Sequence, residues 1–82
     1  MEKSIYSKEY KLFLELLREV RESKGLTQTE VAERLGQTQS FISKVERGER
    51  RLDVVELRAF CSAIGISFTA FVGKIERTLN GK

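Results

Sequence analysis

The chain has 82 residues, 15 Lys and Arg against 12 Asp and Glu, and a formal net charge of +3. This length predicts one small domain spanning residues 1–82, because a second hydrophobic core needs a longer chain. The sequence contains no histidine, which excludes imidazole bases, histidine metal ligands and Ser-His or Cys-His catalytic pairs. Its single cysteine, Cys61, excludes an internal disulfide and a cysteine cluster for zinc or iron–sulfur, and a small buried thiol is the expected role. We therefore expect no metal and no cofactor.

The longest uncharged stretch, residues 59–73, is interrupted by serine and glycine and is shorter than a membrane span. The first ten residues carry both charge signs and no apolar core, unlike a secretory signal. The cytoplasm is the expected compartment, without a membrane partner. The mild basic excess is compatible with a nucleic-acid partner.

Apolar residues follow helical rather than strand spacing, and the sequence contains no proline. The first predicted helix begins after a capping residue, Ser7, and ends near Lys24. The second begins after Thr27, which can form a capping box with Glu30, and it ends at Leu35. Glycines follow both helices as C-terminal stops.

Three further helices follow the same pattern of a capping residue and a closing glycine or asparagine. Asp53 and Glu56 can form a second capping box, and Ser67 can cap the last helix. The five helices have short links and predict a compact all-α domain, with its core at about residues 8–73. The predicted ranges are Gln37 or Thr38 to Arg47, Val54 to Ile64, and Phe68 to about Leu79.

The link between the second and third helices, Gly36–Thr38, is very short. Helices joined so tightly cross steeply, so their contact needs a small side chain, which Ala32 supplies. Gly36 allows the positive φ of a sharp corner, and Ile42 and Val45 face the core from the third helix. This pattern favours a DNA-binding helix-turn-helix, and an ordinary helical hairpin is the alternative.

If Ile42 and Val45 face the core, the polar side chains of the third helix point away from it. Gln can pair with adenine, Lys with guanine, and Ser with a base or a phosphate. No Glu occurs between residues 37 and 45, unlike most helix faces that are merely solvated, which is the alternative interpretation. The outward residues are Ser40, Ser43, Lys44 and Arg47, with Gln39 beside the first turn.

This block resembles the Xre-type helix-turn-helix family, which includes Cro and the phage repressors. The resemblance implies a small transcriptional regulator, a repressor, that binds double-stranded DNA sequence-specifically with its third helix in the major groove. It covers roughly residues 13–72. The matching segments are 25–28 (GLTQ), 31–32 (VA), 35–36 (LG), 39–48 (QSFISKVERG) and 63–67 (AIGIS).

The family's base-reading positions fall on Gln39, Ser40 and Lys44. Arg21 and Glu46 resemble the family's partly buried ion pair, with two independent surface charges as the alternative. Phe41 can touch a thymine methyl or cover the edge of the domain, and both interpretations stay open. The residues expected to contact phosphates are Gln28 at the start of the second helix, Thr38, Ser43, Arg47, Arg50 and Arg51.

Two other functions compete with DNA binding. Ser40 and Lys44 could imitate a Ser-Lys dyad, but such a dyad needs a buried lysine and the outward side of Lys44 is not apolar, so we expect no enzyme and no catalytic residue. The other candidate is an antitoxin or protein-interaction module with a toxin or other protein as its main partner. The lack of acids on the outward side of the third helix argues for DNA instead.

The fifth helix carries an apolar stripe that begins at Phe68. The stripe continues beyond the length needed to close the core. It predicts a homodimer with Phe71, Ile75 and Leu79 in the interface, and therefore a near-palindromic operator. The alternative is that this helix folds back on its own domain.

Overall fold

The structure, a computed structural model, describes residues 8–81. Within this range it has five helices and no strand, which confirms the all-α prediction. The predicted cap at Ser7 lies outside the described residues. The helices are α1 (Lys8–Ser23), α2 (Gln28–Leu35), α3 (Gln39–Glu46), α4 (Val54–Ile64) and α5 (Phe68–Asn80).

Both predicted capping boxes are confirmed, and they explain where α2 and α4 begin. The Thr27 hydroxyl accepts the backbone N–H of Glu30 at 3.1 Å, and the Glu30 carboxylate accepts the backbone N–H of Thr27 at 2.8 Å. Asp53 and Glu56 repeat the exchange at 2.7 and 2.9 Å. Each box satisfies two backbone N–H groups that the first turn of a helix leaves without partners.

The turn between α2 and α3 is closed by Gly36, whose φ is +70°. Its backbone N–H bonds the carbonyls of Ala32 and Glu33, as in a left-handed C-terminal cap. Thr38 then caps α3 by accepting the backbone N–H of Phe41 at 3.1 Å. The helix ends one residue before the predicted position, because Arg47 is its C-terminal cap.

Every helix contributes to one cluster of buried apolar side chains. α3 packs mainly on α2 and α1, whereas α5 packs on α1 and α4. Cys61 is part of this cluster, and burial raises the pKa of its thiol to about 11, so it stays a neutral apolar side chain. The largest fully buried side chains are Phe60, Phe71, Leu17, Ile42, Ile64, Val31 and Val45.

Phe71 belongs to this core, so the prediction that it lies in a dimer interface is wrong. Its side chain is fully buried, and its ring lies edge-on to that of Phe13 at 6.2 Å between centroids. Ile75 is partly buried and also packs against the core. The first part of α5 therefore folds back on its own domain.

Among residues 8–81 the exposed large apolar side chains are instead three valines. Val54, Val55 and Val72 are 63, 73 and 42% exposed. Among the described helices none is both long and apolar enough to cross a membrane by itself. α4 and α5 reach that length and hydropathy only as a pair, and they are bent by 106° at the break between them.

Candidate nucleic-acid interface

The third helix presents a polar side opposite an apolar one. Ile42 and Val45 are fully buried against the core. Gln39, Ser40 and Lys44 are exposed, as the spacing predicts. Their roles as base contacts stay predictions.

Gln39 is joined to Gln28, although the sequence analysis assigned these residues to different kinds of contact. The Gln39 Nε2 donates to the Gln28 Oε1 at 2.6 Å, and the Gln28 Nε2 donates to the Glu46 Oε1 at 2.9 Å. The first bond uses one N–H of the Gln39 amide. The oxygen and one N–H of a glutamine amide are the groups that can pair with the adenine edge. The bond to Gln28 orients the Gln39 amide and leaves its oxygen and one N–H without a partner among the described residues.

Arg21 and Glu46 form a buried bidentate ion pair. The Arg21 Nε and Nη2 donate to the two Glu46 carboxylate oxygens at 2.6 and 3.0 Å, and the side chains are only 8 and 5% exposed. The Arg21 Nη1 also donates to the Leu26 carbonyl at 2.7 Å. The hydrogen bonds and the charge of Glu46 hold the pKa of Arg21 above its ordinary value, against the opposing effect of burial. The pair links the end of α1 to the end of α3.

Two of the residues expected to contact phosphate, Ser43 and Arg47, interact with each other. Arg47 donates to the Ser43 hydroxyl and forms an ion pair with Glu49, at 3.0 and 3.1 Å between the paired atoms. The hydrogen bond from Arg47 holds the pKa of Glu49 below its ordinary value. Arg47 is exposed, so a phosphate can reach it by competing with this carboxylate.

Arg50 and Arg51 follow α3 in the loop but have different surroundings. The Arg50 Nη1 and Nη2 donate to the Glu56 carboxylate at 3.0 and 2.9 Å, and the Arg50 guanidinium carbon lies 4.9 Å from the centre of the Phe41 ring. The Arg51 guanidinium lies 4.8 Å from the centre of the Tyr10 ring and remains exposed. Phe41 packs against the core, which favours its role as a cover for the edge of the domain.

Glu49, Glu56 and Tyr10 were not predicted as partners of the arginines. The sequence pattern indicated Glu56 only as a capping residue. Its contact with Arg50 depends on the path of the loop between α3 and α4. Among the described residues no group of three or more His, Cys, Asp or Glu side chains is placed to hold a metal ion.

Comparisons with known proteins agree with this arrangement. The family described as Helix-turn-helix matches residues 17–71. An uncharacterized HTH-type transcriptional regulator, y4dJ of Sinorhizobium fredii (strain NBRC 101917 / NGR234), is 39% identical over 59 residues, which are 72% of this chain and 77% of that protein.

Two solved structures show the same fold. The XRE-family like protein from Pseudomonas syringae pv. tomato str. DC3000 is 47% identical, with 94% of each chain covered and a TM-score of 0.84. The restriction-modification controller protein C.Esp1396I, solved as a tetramer with its natural 35 base-pair operator, has a TM-score of 0.78. At 22% identity, over 87% of this chain and 93% of that one, it shows the fold alone. With its buried and exposed helix faces arranged in this way, the chain belongs to the Xre-type helix-turn-helix family of DNA-binding transcriptional regulators.

Proposed function

We propose that this protein is a small repressor that binds double-stranded DNA sequence-specifically with α3 in the major groove. The observation that carries the proposal is the exposure of Gln39, Ser40 and Lys44 on α3, opposite Ile42 and Val45 in the core. In a helix-turn-helix protein the residues near the start of this helix meet the base edges. Gln39 suits adenine, Lys44 suits guanine, and Ser40 suits either a base or a phosphate.

The residues around α3 supply groups for the DNA backbone. Gln28 lies at the amino end of α2, where free N–H groups and the helix dipole favour a phosphate. Thr38 and Ser43 provide hydroxyls, and Arg47 and Arg51 provide exposed cations. These contacts position the helix without reading the sequence.

The proposed active form is a homodimer on a near-palindromic operator. C.Esp1396I binds its 35 base-pair operator as a tetramer, so a related fold is used by several copies at once. In this chain the apolar stripe of α5 includes Val72, which is exposed, and Ile75 and Leu79, which are half-buried. On such an operator the two α3 helices would lie in successive major grooves, roughly 34 Å apart.

The direct test is selection of bound sequences from a random pool of DNA duplexes. A dimer that contacts roughly six to ten phosphates should lose about 10³- to 10⁵-fold in affinity between about 50 and 200 mM salt. If no duplex is enriched at low salt, the protein is not a sequence-specific DNA-binding protein.

Lys44→Ala then tests base reading by α3. The variant should lose about 1–3 kcal/mol of discrimination at one base pair of the enriched duplex, because one good base contact contributes that much. Lys74→Ala removes the same charge from α5 and is the matched control, which should leave base preference unchanged. If Lys44→Ala instead weakens binding to all duplexes equally, Lys44 does not read a base.

A further inference from the structure

Arg50 lies in the loop between α3 and α4 and contacts a side chain of each helix. Its guanidinium stacks on Phe41 of α3 and pairs with Glu56 of α4. Resting on the proposed DNA binding, we propose that Arg50 is a positioning residue: it holds the first turn of α3 in the orientation that reads bases, and it does not act as a phosphate contact.

Arg50 is less exposed than Arg47, at 42 against 55%, and its contacts use three of the five N–H donors of the guanidinium. Its Nη1 donates to both Glu56 and the Arg51 carbonyl, and its Nη2 donates to the second Glu56 oxygen at 2.9 Å. A bidentate pair with a carboxylate uses the same planar geometry that would otherwise bind a phosphate. The hydrogen bonds from Arg50 also hold the pKa of Glu56 below its ordinary value, so the carboxylate stays charged near neutral pH.

Phe41 needs such a restraint because the core does not enclose it. It is half-buried and borders a cleft of about 140 Å³ that Leu52 and Phe60 also line. An aromatic ring beside open space has room to change rotamer, and a guanidinium over its face limits that motion through a cation–π contact. Phe41 is the third residue of α3, directly after Gln39 and Ser40. A shift of its ring therefore moves the proposed base-reading turn.

The two helices that Arg50 joins pack on other elements of the fold. The main packing partners of α3 are α2 and α1, and those of α4 are α2 and α5. The Phe41–Arg50–Glu56 contacts therefore bridge two helices that are not each other's main packing partners. Loss of Arg50 would keep the Arg21–Glu46 pair between α1 and α3, but it would free the edge of α3 that carries Phe41.

The test compares Arg50→Lys, Arg50→Gln and Glu56→Gln in the full chain, at a temperature where circular dichroism shows all of them folded. Lysine keeps the charge but loses the bidentate pair and the planar stack. Glutamine at position 56 keeps the capping acceptor of α4 while removing the charge. Binding is measured by fluorescence anisotropy on a duplex enriched from the random pool and on its single-base variants, across a salt series.

Both Arg50 variants should lower the preference for the enriched duplex over its variants, on the order of threefold to tenfold. That is part of the roughly 5- to 150-fold that one good base contact supplies. Glu56→Gln should change the preference in the same direction by a smaller factor. The dependence of affinity on salt should stay as in the unmodified protein, since no phosphate contact is lost.

Arg51→Lys and Arg51→Gln are the matched controls, because Arg51 is the adjacent exposed cation. Arg51→Gln should weaken binding to all duplexes alike and reduce the salt slope by about 1, and lysine should restore both. The same behaviour at position 50, tighter binding of all duplexes by Glu56→Gln, or unchanged base preference in the Arg50 variants would overturn the positioning role. Failure of the unmodified chain to enrich any duplex would instead overturn the proposed function, and the positioning role with it.

Discussion

At the scale of single residues, Glu46 connects the stability of the fold to the proposed DNA surface. Within residues 8–81 its carboxylate accepts three hydrogen bonds, two from Arg21 and one from Gln28. A buried carboxylate is costly unless its oxygens are satisfied, and here they are. Because Gln28 in turn bonds Gln39, a buried charge orients an exposed side chain on α3. Glu46 is therefore linked through Gln28 to Gln39, one of the proposed base contacts.

Arg21→Ala should destabilise the protein by about 3–5 kcal/mol, because it leaves the Glu46 carboxylate buried without its cation. A domain this small is stable by only about 5 kcal/mol, so the variant should be largely unfolded in urea concentrations that leave the parent intact. Urea unfolding followed by circular dichroism measures the difference. Arg18→Ala is the control: its pair with Glu22 is more than half exposed, so its loss should cost about 0–1 kcal/mol. A similar small loss for Arg21→Ala would contradict the role of the buried pair.

At the scale of helices and turns, local chemistry explains why the boundaries could be predicted. Thr27 and Asp53 each stand three residues before a glutamate, and both capping boxes occur where that spacing predicts them. The residues of a capping box lie within three positions of one another, so the start of the helix can be predicted without knowledge of the fold. The Arg50–Glu56 pair depends on a loop path instead, and no periodicity in the sequence marks it.

The α5 prediction shows the limit of helical periodicity. Phe71 and Val72 are neighbours at about 100° around the helix axis, and both are apolar. The stripe alone does not say which of them faces the core. The packing of α5 on α1 buries Phe71 beside Phe13 and leaves Val72 exposed. Of the three residues predicted for the interface, Phe71 alone is fully buried, and its neighbour Val72 is exposed instead.

Two glycines should respond in opposite ways to the same substitution. Gly36→Ala should cost about 1–2 kcal/mol, because its φ of +70° is in the left-handed region that alanine resists even where space is open. Gly73 lies inside α5 without a positive φ, and an added methyl would meet only the flexible end of Arg77, at 3.3 Å. Gly73→Ala should therefore stabilise the helix by roughly 0.5–1 kcal/mol. Thermal unfolding of both variants checks the pair, and a stabilised Gly36→Ala would contradict the geometry of the turn.

The α2 capping box should make stability depend on pH. Hydrogen bonds from the Thr27 backbone and side chain hold the pKa of Glu30 below its ordinary value of 4.5. A carboxylate whose pKa is lower in the folded state stabilises the fold above its unfolded pKa, and this contribution is lost as the pH falls through the folded pKa. The urea midpoint should therefore decline below about pH 4.5.

Glu30→Gln should flatten that decline, because glutamine keeps an acceptor for the box but does not titrate. Glu33→Gln is the matched control on the same helix, since the Glu33 side chain makes no such bond to the Thr27 cap. An equal flattening by both variants would show that the decline comes from general charge rather than from the cap.

At the scale of the whole molecule, ion pairs near α3 decide which cations are available, more than the small excess of positive charge does. The net charge is only +3. Arg47 and Arg50 each face a carboxylate, whereas the Lys44 side chain has no hydrogen bond or ion pair with another residue in the range 8–81. The composition could not show this, because Glu49 and Glu56 act on particular arginines. The proposed base-reading side therefore combines one unpaired ammonium with amide and hydroxyl groups.

The proposed homodimer would form through the apolar stripe of α5. Val72 and Leu79 are seven residues apart, so they lie on the same side of the helix. A second copy would bury them at about 25 cal/mol per Å² of apolar surface, whereas a monomer leaves Val72 in water. Ile75 is a poor site for substitution, because its contact with the core would also destabilise the monomer.

Val72→Glu combined with Leu79→Glu should give a folded monomer, since each carboxylate would meet its own copy, or an apolar surface, across a two-fold axis. Sedimentation velocity measures the oligomeric state, and circular dichroism checks the fold. Operator binding should weaken because one copy holds only half of the site. Val54→Glu, at a similarly exposed valine on α4, is the control and should remain a dimer. If the α5 double variant stays dimeric while the Val54 variant dissociates, the interface lies on α4, and the two α3 helices meet the operator with a different spacing.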